Sequence, residues 1–103
     1  GRVTIEYMAT GLCVIASNTG ANSELIKNYY TGLLYEYGNI EDLASKLIYI
    51  VQNRSKCITI GYKAREHVLQ YFTKERNAKE IYSVILNVLD GTKLLYSKEK
   101  IKY

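Results

Sequence analysis

The 103-residue sequence has no proline, no tryptophan and a single histidine. It has no apolar run near the roughly 18–20 residues that a membrane-spanning helix needs, which excludes a transmembrane segment. The first apolar stretch is interrupted by Arg2, Glu6 and Thr10, so it does not read as a signal peptide. There are two cysteines, Cys13 and Cys57, whose separation forms neither a metal-ligand spacing nor a redox motif. They read as reduced, mostly buried thiols of a cytosolic protein. The chain opens on Gly1 rather than methionine, which reads as a piece of a longer protein.

Hydrophobic residues make up 48% and charged residues 23%. That balance excludes a disordered chain, and the length allows one small domain. The net charge of +4 is uneven. Residues 1–52 carry three Lys/Arg against five Asp/Glu, and residues 53–103 carry eleven against five. A basic half can face nucleic acid, an anionic membrane or phosphate. Here the bases alternate with acids (Lys63, Arg65, Glu66; Lys74, Glu75, Arg76; Lys79, Glu80). This describes a solvated helical surface better than a phosphate-binding stripe, so no nucleic acid is expected.

The pattern predicts a helix over 2–10 stopped by Gly11, then a buried parallel strand over 12–16. A polar loop, 17–23, follows. Ser23 is the expected N-cap of a short helix over 24–28. Residues 28–32 read as a turn and 33–35 as a second strand. Asn39 should cap a helix over 40–52, with Ile40, Leu43, Ala44, Leu47, Ile48 and Val51 on its inward face and Glu41 and Asp42 in its first turn. Cys57, Ile60, Gly61, Ala64, Val68 and Tyr71 share one face of a second long helix. Thr73 should cap a third, with Ala78, Ile81, Tyr82, Ile85, Val88 and Leu89 inward and Asp90-Gly91 closing it. The Lys-rich tail over 92–103 should fray. The expected class is α/β with short parallel strands, helical crossovers and a helix-rich C-terminal half. Two strands do not make a sound sheet alone, so further strands are expected before Gly1.

Three polar features could carry chemistry. The first is the N-terminus of helix 2–10, where Gly1, Arg2, Val3 and Thr4 offer backbone N–H groups suited to a phosphate and Arg2 adds a cation. The second is Glu6, one turn on, whose carboxylate can accept two sugar hydroxyls. The third is the loop over 17–23, with Thr19 and Gly20, at the carboxyl end of a strand where ligands bind in open α/β sheets. Each also has an ordinary reading, as a helix end, a solvated carboxylate or a turn. His67 lies mid-helix and reads as a surface residue with no second ligand or nucleophile near it. The eleven tyrosines read mainly as core or interface rings.

The order of these motifs resembles a known family. Residues 1–16, Gly1-Arg2-Val3-Thr4-Ile5-Glu6 through Gly11-Leu12-Cys13-Val14-Ile15-Ala16, resemble the segment GRVTIEAMACGLPVIAS of the group-1 (GT4-type) retaining glycosyltransferases. Asn18 through Ile26 resembles DxGGxPELI, and Thr31 through Tyr35 resembles NGLLY. Gly38 through Ala44 resembles GDPEDLA, and Ala64 through Thr73 resembles AREHVLENFT. The likeness covers about residues 1–90. Cys13 stands where the family usually has proline, Ala21 where it has the second glycine of its loop, and Ser23 where it has proline.

The resemblance implies a two-domain GT-B enzyme that transfers a sugar from a nucleoside-diphosphate sugar to an acceptor, with retention. Residues 1–91 would be the C-terminal half of its Rossmann-like donor-binding domain. Glu6 would hold the donor ribose. Gly1, Arg2, Val3 and Thr4 would hold the diphosphate, and Thr19 and Gly20 would touch the donor from the loop. The catalytic residues would lie upstream of Gly1, and no metal or other cofactor is expected. The acceptor, a sugar or lipid-linked saccharide, would bind the N-terminal domain. The setting would be bacterial polysaccharide synthesis in the cytoplasm, with peripheral association at the inner face of the membrane. The chain alone would be inactive. Two alternatives stay open at this point: a GT-B sugar-nucleotide epimerase or phosphorylase, and a non-catalytic module that binds through its basic helical half.

Overall fold

The computed structural model describes residues 2–75 together with Ser83, Leu86, Asn87 and Asp90. Its elements are α1 (Arg2–Ala9), β1 (Ile15–Ser17), α2 (Asn22–Leu25), β2 (Leu33–Tyr35), α3 (Ile40–Gln52) and α4 (Arg54–Glu75). β1 and β2 pair in parallel, with Ile15 opposite Leu33, Ala16 opposite Leu34 and Ser17 opposite Tyr35. The chain between them carries α2 and the turn at 28–32, because parallel neighbours need a crossover rather than a hairpin. This is the expected α/β arrangement of short parallel strands and flanking helices, as in part of a Rossmann-like domain.

α1 ends as its sequence requires. Gly11 takes φ +80° and donates its N–H to the Met8 carbonyl at 3.1 Å, a left-handed stop that glycine adopts without a Cβ penalty. Met8, fully buried, sits in the core with Ile26, Ala64 and Val68. Ile5, Ala9, Val14, Ala16, Leu25 and Leu34 pack around them. α4 lies directly on the segment that follows α1. A Cβ on Gly61 would stand 2.1 Å from the Gly11 carbonyl oxygen and 3.0 Å from the Leu12 carbonyl carbon. The small face of α4, Cys57, Gly61 and Ala64, is what lets helix and backbone touch, and all three residues are buried.

Several expectations are corrected. β1 begins at Ile15 rather than at residue 12, and it is half-buried. Residues 11 and 12 lie against α4, and the ladder takes hold only where the Val14 carbonyl accepts from Leu33 N–H at 2.8 Å. α2 is capped at Ala21 rather than Ser23. The Ser23 hydroxyl donates backwards, to the Gly20 carbonyl at 3.0 Å. Thr73 is not an N-cap, because α4 runs unbroken through it to Glu75. Tyr71 is exposed, unlike Cys57, Ile60, Gly61, Ala64 and Val68, which form the buried face as expected.

α3 has the expected bounds and cap, with Asn39 Oδ1 accepting from Asp42 N–H at 3.0 Å. Its apolar stripe does not face inward. Ile40 (81% exposed), Val51 (76%), Leu47 and Ile48 all face outward, and Ala44 is exposed. The buried residue of α3 is Lys46, 8% exposed, whose Nζ meets Asp42 Oδ1 at 3.2 Å and lies 5.2 Å from the centroid of the Tyr29 ring. Burial alone would lower the Lys46 pKa, but the adjoining Tyr29 and the Asp42 carboxylate, which accepts from Lys46 Nζ, outweigh it and raise it. Many tyrosines are exposed rather than in the core, among them Tyr7, Tyr30, Tyr37 and Tyr62. His67 is on the surface, as expected. The inward residues expected of the third helix (Ala78, Ile81, Tyr82, Ile85, Val88, Leu89) and the tail over 92–103 lie outside the described residues. Ser83, Leu86, Asn87 and Asp90 are helical.

Candidate functional site

The first turn of α1 and the loop after β1 lie far apart in sequence, and the fold joins them. Thr4 Oγ1 donates to Asn22 Oδ1 at 2.6 Å, and Asn22 Nδ2 donates to the Ser17 carbonyl at 3.1 Å. One side chain, Asn22, thus ties the start of α1 to the end of β1. Both bonds are partly buried, so water competes for them less than at an open surface.

The loop between is shaped by its own hydrogen bonds. Asn18 N–H donates to the Tyr35 carbonyl at 2.7 Å, extending the β1–β2 ladder by one step. Thr19 N–H donates to Ser17 O, Asn22 N–H to Thr19 O, and the Ser17 and Thr19 hydroxyls meet at 2.9 Å. Gly20 takes φ +52° and has nothing within 4 Å of where a Cβ would stand. Ala21, in the place of the family's second glycine, takes φ −66° and ψ −19°. The positive φ falls on Gly20 alone, so alanine at 21 is unstrained.

Val3 is exposed and Thr4 half-buried at the N-terminal end of α1. The first N–H groups of a helix have no intrahelical acceptor, so this end presents donors and the positive pole of the helix dipole beside the loop of Thr19 and Gly20. Gly1 lies outside the described residues. Glu6 is half-buried one turn further on, and its Oε1 accepts from Asn87 Nδ2 at 3.1 Å. This bond holds the carboxylate from outside α1.

The candidate residues Val3, Thr4 and Glu6 therefore share one helix end, and Thr4 is bound to the Thr19–Gly20 loop through Asn22. Asn22 and Asn87 were not legible as contributors. Asn22 stood in the loop as an unremarkable polar residue, and nothing in the sequence relates position 87 to position 6. Among the described residues there is no cluster of three or more metal-ligating side chains, and no helix is long and apolar enough to cross a membrane.

Comparison with known proteins bears on the same stretch. The family model for glycosyl transferases group 1 matches residues 1–67. N-acetyl-alpha-D-glucosaminyl L-malate synthase of Bacillus anthracis is 29% identical over 93 residues, covering 90% of this chain and 24% of that protein. Sulfoquinovosyl transferase SQD2 of Arabidopsis thaliana is 34% identical over 94 residues, covering 84% of this chain and 18% of that protein. The capsular polysaccharide biosynthesis glycosyltransferase CapM of Staphylococcus aureus is 27% identical over 94 residues, covering 88% and 25%. The chain spans about a quarter or less of the length of these relatives.

Proposed function

The chain belongs to the group 1 glycosyl transferases, and from that premise we propose that the protein carrying it moves a sugar from a nucleoside-diphosphate sugar to an acceptor, with this chain forming one wall of the donor site. The observation that carries the reading is the junction of the α1 N-terminus with the loop after β1 through Thr4 and Asn22. It places helix N–H donors beside a preformed polar loop at the carboxyl end of a strand, a place suited to a phosphorylated ligand.

In this proposal the backbone N–H groups of Arg2, Val3 and Thr4, with Gly1, bind the donor diphosphate. Thr19 and Gly20 close over it, and Glu6 accepts from the two ribose hydroxyls. As the glycosidic bond breaks, positive charge develops on the sugar and negative charge on the departing diphosphate. Donors already aimed at the diphosphate stabilise that charge without reorganising, which lowers the barrier to transfer. The groups that act on the sugar itself belong to the rest of the protein, as does the acceptor site. We assign residues 1–91 to the donor-binding domain and retention to the stereochemical outcome. An acceptor that is a sugar or a lipid-linked saccharide suits the likeness to CapM, a capsular polysaccharide biosynthesis glycosyltransferase.

The experiment is a sugar-transfer assay on the protein that carries this chain, with a panel of nucleotide sugars. Glu6→Ala is expected to raise donor KM about tenfold or to abolish turnover, the loss of a charged hydrogen-bond acceptor being worth ~1.5–3 kcal/mol. Wild-type kinetics in that variant would remove Glu6 from the donor site.

A further inference from the structure

Cys13 and Cys57 share no motif in sequence, yet the fold brings them together. Both line one crevice, with Gly11, Leu12, Ile50, Arg54, Ile58 and Tyr62 around it. The cause is the contact at Gly61. Gly61 touches the backbone of Gly11 and Leu12, and Cys57 lies on the same face one turn back along α4. Cys13 is the next residue along the chain from that contact. Both are free cysteines, and both border the same crevice. A disulfide needs Cα atoms within about 4.4–6.8 Å, and the contact of residues 11 and 12 with α4 at Gly61 brings this stretch of backbone close to the helix that carries Cys57.

We propose that Cys13 and Cys57 form a dithiol site that low-molecular-weight disulfides convert to an intramolecular disulfide, tying the chain entering β1 to the first turns of α4. Cys13 is half-buried and Cys57 buried, so Cys13 meets the reagent first. The Cys13 thiol gives its proton to solvent and its sulfur attacks one sulfur of the reagent, RSSR. The S–S bond breaks, and RS⁻ leaves and takes up a proton. The Cys57 sulfur, losing its own proton, then attacks the Cys13 sulfur of the mixed disulfide and expels the second RS⁻, which is protonated in turn. Two protein thiols are oxidised and one RSSR is reduced to two RSH. Burial, with the adjoining Cys57, pushes the Cys13 thiol up to about 12, so the first step is slow at neutral pH and a strong excess of reagent is required. The site is independent of the donor-site residues, and Cys13 occupies the position where the family usually has proline.

The test incubates the folded protein that carries this chain with excess oxidised glutathione, blocks remaining thiols by alkylation, and maps peptides by mass spectrometry. The expected product is one cross-linked peptide pair holding Cys13 and Cys57, two hydrogens lighter than the dithiol and restored by dithiothreitol. Cys13→Ser and Cys57→Ala should each abolish the cross-link, leaving in Cys57→Ala a glutathione adduct on Cys13. Glutathione on both cysteines at once, or both alkylated with no cross-link after prolonged oxidation, would overturn the proposal.

Discussion

Asn87 Nδ2 donates to Glu6 Oε1 at 3.1 Å, a contact between residues 81 positions apart. In the donor-site reading, this bond fixes the carboxylate orientation from outside the helix that carries it. Asn87→Ala is expected to raise donor KM roughly fivefold, corresponding to ~1 kcal/mol for an exposed hydrogen bond to a charged group, with kcat little changed. Steady-state kinetics over a range of donor concentrations checks this.

Thr4 and Asn22 act as a pair. Thr4→Val and Asn22→Ala each break the link between the α1 N-terminus and the loop after β1. Each should weaken nucleoside-diphosphate binding about three- to tenfold, and the double variant should be little worse than the weaker single, because one connection is lost in all three. Equilibrium titration of the four proteins measures the coupling. Strict additivity would show that the bond does not shape the site.

Gly61 leaves no room for a Cβ, which would stand 2.1 Å from the Gly11 carbonyl oxygen. Gly61→Ala must push α4 away from residues 11–12, at a cost of ~1–3 kcal/mol as for other overpacked sites. Thr59→Ala, exposed on the same helix, should stay within ~0.5 kcal/mol of wild type. Chemical denaturation or thermal unfolding distinguishes the two.

Asp42 ties the start of α3 to the end of β2. Its carboxylate accepts from Glu36 N–H at 2.7 Å and from Lys46 Nζ at 3.2 Å. Those bonds, the backbone one first, hold its pKa below the usual 3.8. A depressed carboxylate contributes stability that is present above its unfolded pKa and is lost as pH falls through the folded value. Melting temperature should therefore drop on acidification from about pH 4 downward, and Asp42→Asn should flatten that part of the profile. Melting curves between about pH 6 and pH 2.5 provide the comparison.

Short-range features were the legible ones. β2 and α3 have the bounds their patterns predict, since Asn39 caps its own helix and Leu33–Tyr35 is a compact apolar run. The stop at Gly11 likewise needs only a residue that tolerates positive φ. Periodicity showed that α3 has an apolar stripe, but a stripe does not say what covers it, and Ile40 and Val51 lie exposed while Lys46 is buried. Thr73 looked like a cap because threonine can cap, yet helix propensity on either side carries α4 straight through it. In the site, the helix end, Glu6 and the loop were visible as separate features. Asn22 and Asn87, which link them to the rest of the fold, depend on tertiary contacts that no local pattern encodes.

The most direct test of the donor-site assignment is ligand discrimination at Glu6. Affinities of a nucleoside diphosphate and its 2′,3′-dideoxy analogue are measured for wild type and Glu6→Ala in the protein that carries this chain. Wild type should prefer the ribose compound by about tenfold or more, the worth of hydrogen bonds to a charged acceptor. In Glu6→Ala the preference should collapse to about twofold or less, with the two ligands bound alike. An undiminished preference for ribose in Glu6→Ala would contradict the assignment.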